Sequence, residues 1–225
     1  MSAGSSAGFC RIACAATLLA LGACGSDSDR LSGVTIARDI ASGATGIGRA
    51  PAAPAGLGLT RASLAQILTP VDLVTVENTG AQAVIAKIAS NGGVETWSSV
   101  DKKTLSLRSG VLVASRGLGD DLIGARVPGL SQILAGGPYT RSHSWTGDDD
   151  RVIRHDISCR GQVVGTTSIT VVERSYSVRH LREICTGAMG GFQNDYWQQI
   201  GGKLRQSRQY VSDGAGYVLI QHLSE

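Results

Sequence analysis

The chain has 225 residues, a net charge of +3 and 42% hydrophobic residues, of which few are aromatic. That length supports one well-buried core without a second domain. Its weak, dispersed charge, with no basic run and no interleaved aromatic–basic patch, argues against nucleic acid as a partner.

At the N-terminus, Arg11 supplies one positive charge, residues 12–23 are almost wholly apolar, and the chain turns polar at Gly25-Ser26-Asp27. This pattern reads as a secretory signal, too short to span a bilayer permanently. It ends in Leu21-Gly22-Ala23-Cys24, which resembles the lipobox at which bacterial lipoproteins are cut after diacylglycerol is attached to the cysteine. An ordinary signal cut at small residues is the alternative. Lipidation at Cys24 implies a domain anchored to the membrane rather than spanning it. In lipoproteins of this kind an aspartate after the cysteine retains the chain at the inner membrane. Gly25 therefore favours the outer membrane, with the domain facing the periplasm.

Cys10 and Cys14 leave with the signal, so Cys159 and Cys185 remain after Cys24 takes its lipid. In an oxidising compartment two such cysteines are expected to pair, the alternative being two buried thiols. Residues 24–58 are rich in Gly, Ala, Ser and Pro and read as a tether, leaving residues 59–225 as a single domain.

Within the domain, residues 60–68 predict a short helix ended by Pro70. The period then changes to two. Strands are expected at residues 73–76, 83–86, 94–97, 104–108 and 111–114, with Asn91-Gly92-Gly93 and Ser109-Gly110 as turns. Residues 117–147 are irregular, with a short helix at 121–125 or 130–134. Long strands follow at 151–159, 162–174 and 175–185, with Arg160-Gly161 read as a tight turn between the first two. Three further strands close the chain around Gly201-Gly202 and Asp213-Gly214. The pattern predicts an all-β, antiparallel domain of coiled or barrel-like sheets with one or two short helices. On this reading the two cysteines end strands that are two apart, roughly 9.5 Å from each other in a flat sheet, too far for a disulfide. A bridge would then need a strongly coiled sheet or a non-sequential strand order.

Several groups carry chemistry. Asp120-Asp121 and Asp148-Asp149-Asp150 offer carboxylates to a hard cation, but without a recognised ligand spacing they read as solvated turns and caps. With Glu95 they are candidates for an acid–base pair at a glycosidic bond, although aspartates in glycine-rich turns lack the burial that acid duty requires. His143, His155, His180 and His222 are scattered, with no zinc or triad spacing, so no metal or cofactor is expected. Trp97, Trp145, Tyr196 and Trp197 present flat faces suited to sugar rings, the alternative being core packing, and on one strand Tyr196 and Trp197 must face opposite ways.

The block Glu95-Thr96-Trp97-Ser98-Ser99, the run from Leu105 through Arg116-Gly117-Leu118-Gly119-Asp120-Asp121-Leu122, and the later Glu183-Ile184-Cys185 and Phe192-Gln193-Asn194-Asp195-Tyr196-Trp197 resemble the YjbF/GfcB family of capsule and exopolysaccharide lipoproteins. The resemblance covers the chain from about Leu64 onward. It departs from the family in its long tether and in Lys102-Lys103, where a turn glycine is usual. It implies a periplasmic, outer-membrane-anchored accessory factor in polysaccharide secretion and supplies no catalytic residues to carry over; on this reading the protein is non-enzymatic and assists export or assembly by binding either polysaccharide or another secretion component. Trp97, Arg116, Asp120, Asp121, Trp145 and Trp197 are its candidate contact residues. A periplasmic glycan-modifying enzyme is the competing expectation, and a purely structural envelope lipoprotein a third.

Overall fold

The computed structural model describes residues 57–146, 151–188 and 190–224. They form two short helices, α1 (Arg61–Leu64) and α2 (Leu130–Ala135), and twelve strands: β1 (Val71–Val76), β2 (Ala81–Asn91), β3 (Val94–Ser98), β4 (Thr104–Arg108), β5 (Val111–Arg116), β6 (Gly124–Arg126), β7 (Gly137–Thr146), β8 (Val152–Val171), β9 (Arg174–Gly187), β10 (Gly190–Gln199), β11 (Leu204–Ser212) and β12 (Gly216–His222). All twelve belong to one antiparallel sheet in the order β5-β4-β3-β2-β1-β12-β11-β10-β9-β8-β7-β6. The first and last strands therefore pair in the middle, and the two edges, β5 and β6, are consecutive in the chain. The sheet coils until those edges meet. The Ser115 N–H donates to the Leu122 carbonyl at 2.9 Å, making a nearly closed barrel.

Several expected elements hold. Thr60 caps α1 by accepting from the Ser63 N–H, and the Ser63 hydroxyl accepts from the Thr60 N–H in return. The helix is shorter than the expected 60–68, and the second helix falls at the later of its two expected places. The irregular middle is more ordered than expected: residues 121–125 are not helical, and residues 137–146 form the ten-residue strand β7.

The largest correction concerns Arg160-Gly161, which is not a turn. β8 runs straight through it for 20 residues, and the reversal comes at Val172-Glu173. Both of those residues have positive φ, 40° and 63°, as a two-residue hairpin turn requires. Their side chains gave no turn signal. The contacts from α1 supply what the turn sequence lacks: the Arg61 N–H donates to Glu173 Oε2 at 2.9 Å and the Arg61 Nε to the Val172 carbonyl at 2.7 Å. Gly161 is a glycine for another reason. A Cβ there would lie 2.4 Å from the Ile133 carbonyl oxygen, because the backbone of α2 lies directly on β8.

With β8 continuous, Cys159 and Cys185 lie directly opposite each other on neighbouring strands, Cα atoms 4.1 Å apart, and form a disulfide. The expected obstacle of an intervening strand does not exist.

The core has two main faces. Val74, Ile85, Trp97, Leu105, Leu112 and Ile220 pack together inside the barrel. On the other side of β1 and β2, Val71 and Val84 pack with Leu64, Tyr176, Val178 and Leu223. β9 serves both sides. It buries Tyr176 and Val178 near its start, then Leu181, Glu183 and Cys185, a change of parity that coincides with the register shift between Val163 and Gly165 in β8.

Candidate functional site

Residues 117–122 join the two sheet edges, and the Asp121 carboxylate is bonded within that junction. The Asp121 carboxylate accepts from the Ser115 hydroxyl at 2.8 Å and from the N–H groups of Gly117 and Leu118 at 2.6 and 3.1 Å. The Arg116 guanidinium donates to the carbonyls of Ser115, Leu122 and Ile123, bridging the end of β5 to the chain entering β6. Asp120 is exposed, its carboxylate against the β11–β12 turn, where a Cβ on Gly214 would meet its Oδ2 at 2.1 Å. Arg116 and Asp121 thus act as seam residues. The Asp148–150 loop and Cys24 lie outside the described residues.

The predicted tryptophans separate. Trp97 is 5% exposed and belongs to the barrel core. Trp197 is half-buried and stacks on His180, ring centroids 4.9 Å apart, while Tyr196 on the opposite face is fully buried. Trp145 is half-buried too, packed against the barrel core: its indole N–H donates to the Val211 carbonyl at 3.0 Å, and its ring borders a surface depression with His155, Phe192, Tyr210 and Asp213. Phe192 stacks on Tyr210 at 4.8 Å, Tyr210 meets Tyr217 edge-on at 5.6 Å, and the Arg208 guanidinium lies 3.5 Å from the Tyr217 ring centre. Glu77 accepts two bonds from Arg208 Nε and one from its Nη2, and the Tyr210 hydroxyl donates to Asp213 at 2.6 Å. This half-exposed aromatic belt with charged neighbours draws on four strands, β7, β10, β11 and β12. Of its rings the sequence singled out Trp145 alone as a contact residue. Nothing in local spacing links the others.

Beneath the surface runs a buried polar network that the sequence did not reveal. Glu183 is paired with Arg141, both side chains essentially inaccessible, and also accepts from the Tyr139 hydroxyl at 2.9 Å, Asn194 Nδ2 at 2.8 Å and the Tyr196 hydroxyl at 3.2 Å. Burial first, and then the adjacent Glu183 carboxylate, push both phenols well above the usual tyrosine range, so they remain donors. Gln209 extends the network by accepting from the Leu112 N–H at 2.8 Å and donating to the Gly110 carbonyl at 2.8 Å. His143 lies beside it, fully buried, with neither ring nitrogen hydrogen-bonded. Burial, reinforced by the nearby Arg141 charge, lowers its pKa to about 3.

Among the described residues, the other buried carboxylates also have cationic or histidine partners. Asp195 faces His180 at 2.7 Å and Arg182 at 2.9 Å, and Asp72 faces His222 at 2.9 Å. Although burial alone pushes Asp195 up, hydrogen bonds from Arg182, Gln193 and His180 hold it below its ordinary value. Glu183 also lies within 4.8 Å of the sulfurs of Cys159 and Cys185, but those sulfurs are bonded to each other.

Together these features define a class: an antiparallel barrel with a buried ion pair at Arg141 and Glu183 and a cluster of partly exposed aromatics on one patch. The chain belongs to the family described as Group 4 capsule polysaccharide lipoprotein gfcB, YjbF, which it matches over residues 48–223. It is 30% identical over 150 residues to the uncharacterized lipoprotein YjbF of Escherichia coli (strain K12), an alignment covering 62% of this chain and 68% of that protein. The crystal structure of the hypothetical lipoprotein YmcC from Escherichia coli (K12) has the same fold, with a TM-score of 0.66 at 20% identity, covering 74% of this chain and 89% of that one.

Proposed function

We propose that this protein is a non-catalytic accessory factor in capsule or exopolysaccharide export, held to the outer membrane by lipid on Cys24, with its domain in the periplasm and its aromatic belt in contact with polymer. Family membership supports the capsule context. The observation that carries the binding role is the belt itself: Trp145, Phe192, Tyr210 and Tyr217 are partly exposed and gather beside the charged side chains of Arg208, Glu77 and Asp213. Ring faces stack on sugars without demanding one linkage, and the flanking charges supply hydrogen bonds at the edges.

The enzyme alternative needs two carboxyl groups facing one cleft, one of them kept protonated by an apolar setting. The buried carboxylates Glu183, Asp195 and Asp72 instead face arginine or histidine, an arrangement that serves the fold and favours the binding role.

The test is polysaccharide at the cell surface against polysaccharide retained in the cell, in a deletion strain complemented with wild type, Cys24→Ala or the double change Tyr210→Ala with Tyr217→Ala. Loss of surface polymer, restored by wild type but by neither variant, is the expected result. Unchanged polymer on deletion overturns the export role, and altered glycan length or linkage brings the enzyme forward.

A further inference from the structure

β2 is longer than its neighbour. It pairs with β1 from Ala81 to Ala86 but meets β3 only from Ala86 onward, so among the described residues no strand pairs with residues 81–85 on their β3 side. The Lys87 N–H bonds to the Pro70 carbonyl, which fixes the alternation: odd-numbered residues of β2 direct their backbone groups toward β1, and Gln82 and Val84 direct theirs to the open side. Beyond this edge lies a cleft of about 720 Å³, walled by Val74, Val76, Ile85, Leu105 and Leu118. An exposed strand edge beside apolar walls is a template for one more strand: the edge supplies hydrogen bonds and the cleft takes alternate side chains.

The chain itself points to the occupant. Leu57, where the described residues begin, lines the same cleft, so the stretch between Cys24 and Leu57 is joined to the domain at this spot. Within that stretch Gly33-Val34-Thr35-Ile36-Ala37 has the composition of a strand, and its two β-branched apolar residues are two apart and so share a face. The intervening residues 38–56 span up to roughly 65 Å when extended, ample to bring the segment back to the edge. We propose that residues 33–37 add to the open edge of β2 as a strand, with Val34 and Ile36 in the cleft. Docking cuts the chain between anchor and domain from a reach of about 110 Å to about 30 Å, so the segment sets how far the domain stands from the membrane.

Hydrogen exchange on the full mature protein in lipid nanodiscs tests this, comparing wild type with the double change Val34→Asp and Ile36→Asp. The Gln82 and Val84 amides should exchange at least tenfold faster in the variant, while β11 amides are unaffected. Equal exchange in both proteins overturns the proposal. Protection of both that rises with protein concentration would assign the edge to a second copy, and protection gained by either only on adding cell envelope extract would assign it to another partner.

Discussion

The α-carbon of Gly161 faces the Ile133 carbonyl so closely that a side-chain carbon placed on it would stand 2.4 Å from that oxygen and 2.9 Å from the Ile133 Cα. Gly161 does not have positive φ, so alanine meets only the helix there, not a forbidden backbone. Gly161→Ala should therefore force α2 outward and cost about 1–3 kcal/mol, read from urea denaturation. An unchanged midpoint would mean that α2 is not seated as described.

The Arg141–Glu183 pair is inaccessible, and Glu183 gathers three further donors. Glu183→Ala leaves a buried guanidinium without its counter-charge, and should cost about 3–5 kcal/mol. Arg154→Ala at the exposed Asp156 bridge is the comparison: loss of that ion pair should cost no more than about 1 kcal/mol. Similar losses from both changes would contradict the burial assigned to the network.

His143 makes stability depend on pH in a defined direction. Its folded pKa of about 3 lies below the unfolded value, so between roughly pH 6.5 and 3 the unfolded chain binds a proton that the folded chain refuses. Stability is full above this window and falls as pH drops through it. Asp195, held below its ordinary carboxylate value, also favours the folded state at neutral pH, but its share is lost only at more acid pH. Between pH 7 and 5 the loss should thus be visibly smaller in His143→Leu than in wild type, measured by urea midpoints at each pH.

Lys102 sits in the β3–β4 turn with φ of 62°, a conformation that costs an L residue about 1 kcal/mol. Lys102→Gly should raise the melting temperature by a few degrees, equivalent to about 0.5–1 kcal/mol. A decrease would show that the lysine side chain contributes more than its backbone strain costs.

The Cys159–Cys185 bridge closes a loop with a sequence separation of 26. Replacing both cysteines with alanine should lower stability by about 3 kcal/mol, and reductant should weaken the wild type but not the double variant.

The residues themselves settled much of the design. Period-two runs between glycine turns are enough to establish strands at 94–97, 104–108 and 111–114, because alternation is a local property of a half-buried pleat. The specific run ending in Gly119-Asp120-Asp121-Leu122 carried the family. What the sequence left undecided depends on partners far along the chain. Gly161 reads equally as a turn or as room for a helix backbone, and only α2 lying on β8 distinguishes them. Val172-Glu173 carries no turn signature because Arg61, more than 100 residues earlier, holds the turn in place. Asp121 and Arg116 stand out as contact residues in a linear reading; the coiling of the sheet brings its edges together and adds hydrogen bonds across the seam to both. The same coiling set Glu183 against Arg141 and gathered Trp145, Phe192, Tyr210 and Tyr217 into one belt. Alternation states which face a residue takes; the order and curvature of the strands decide what it meets there.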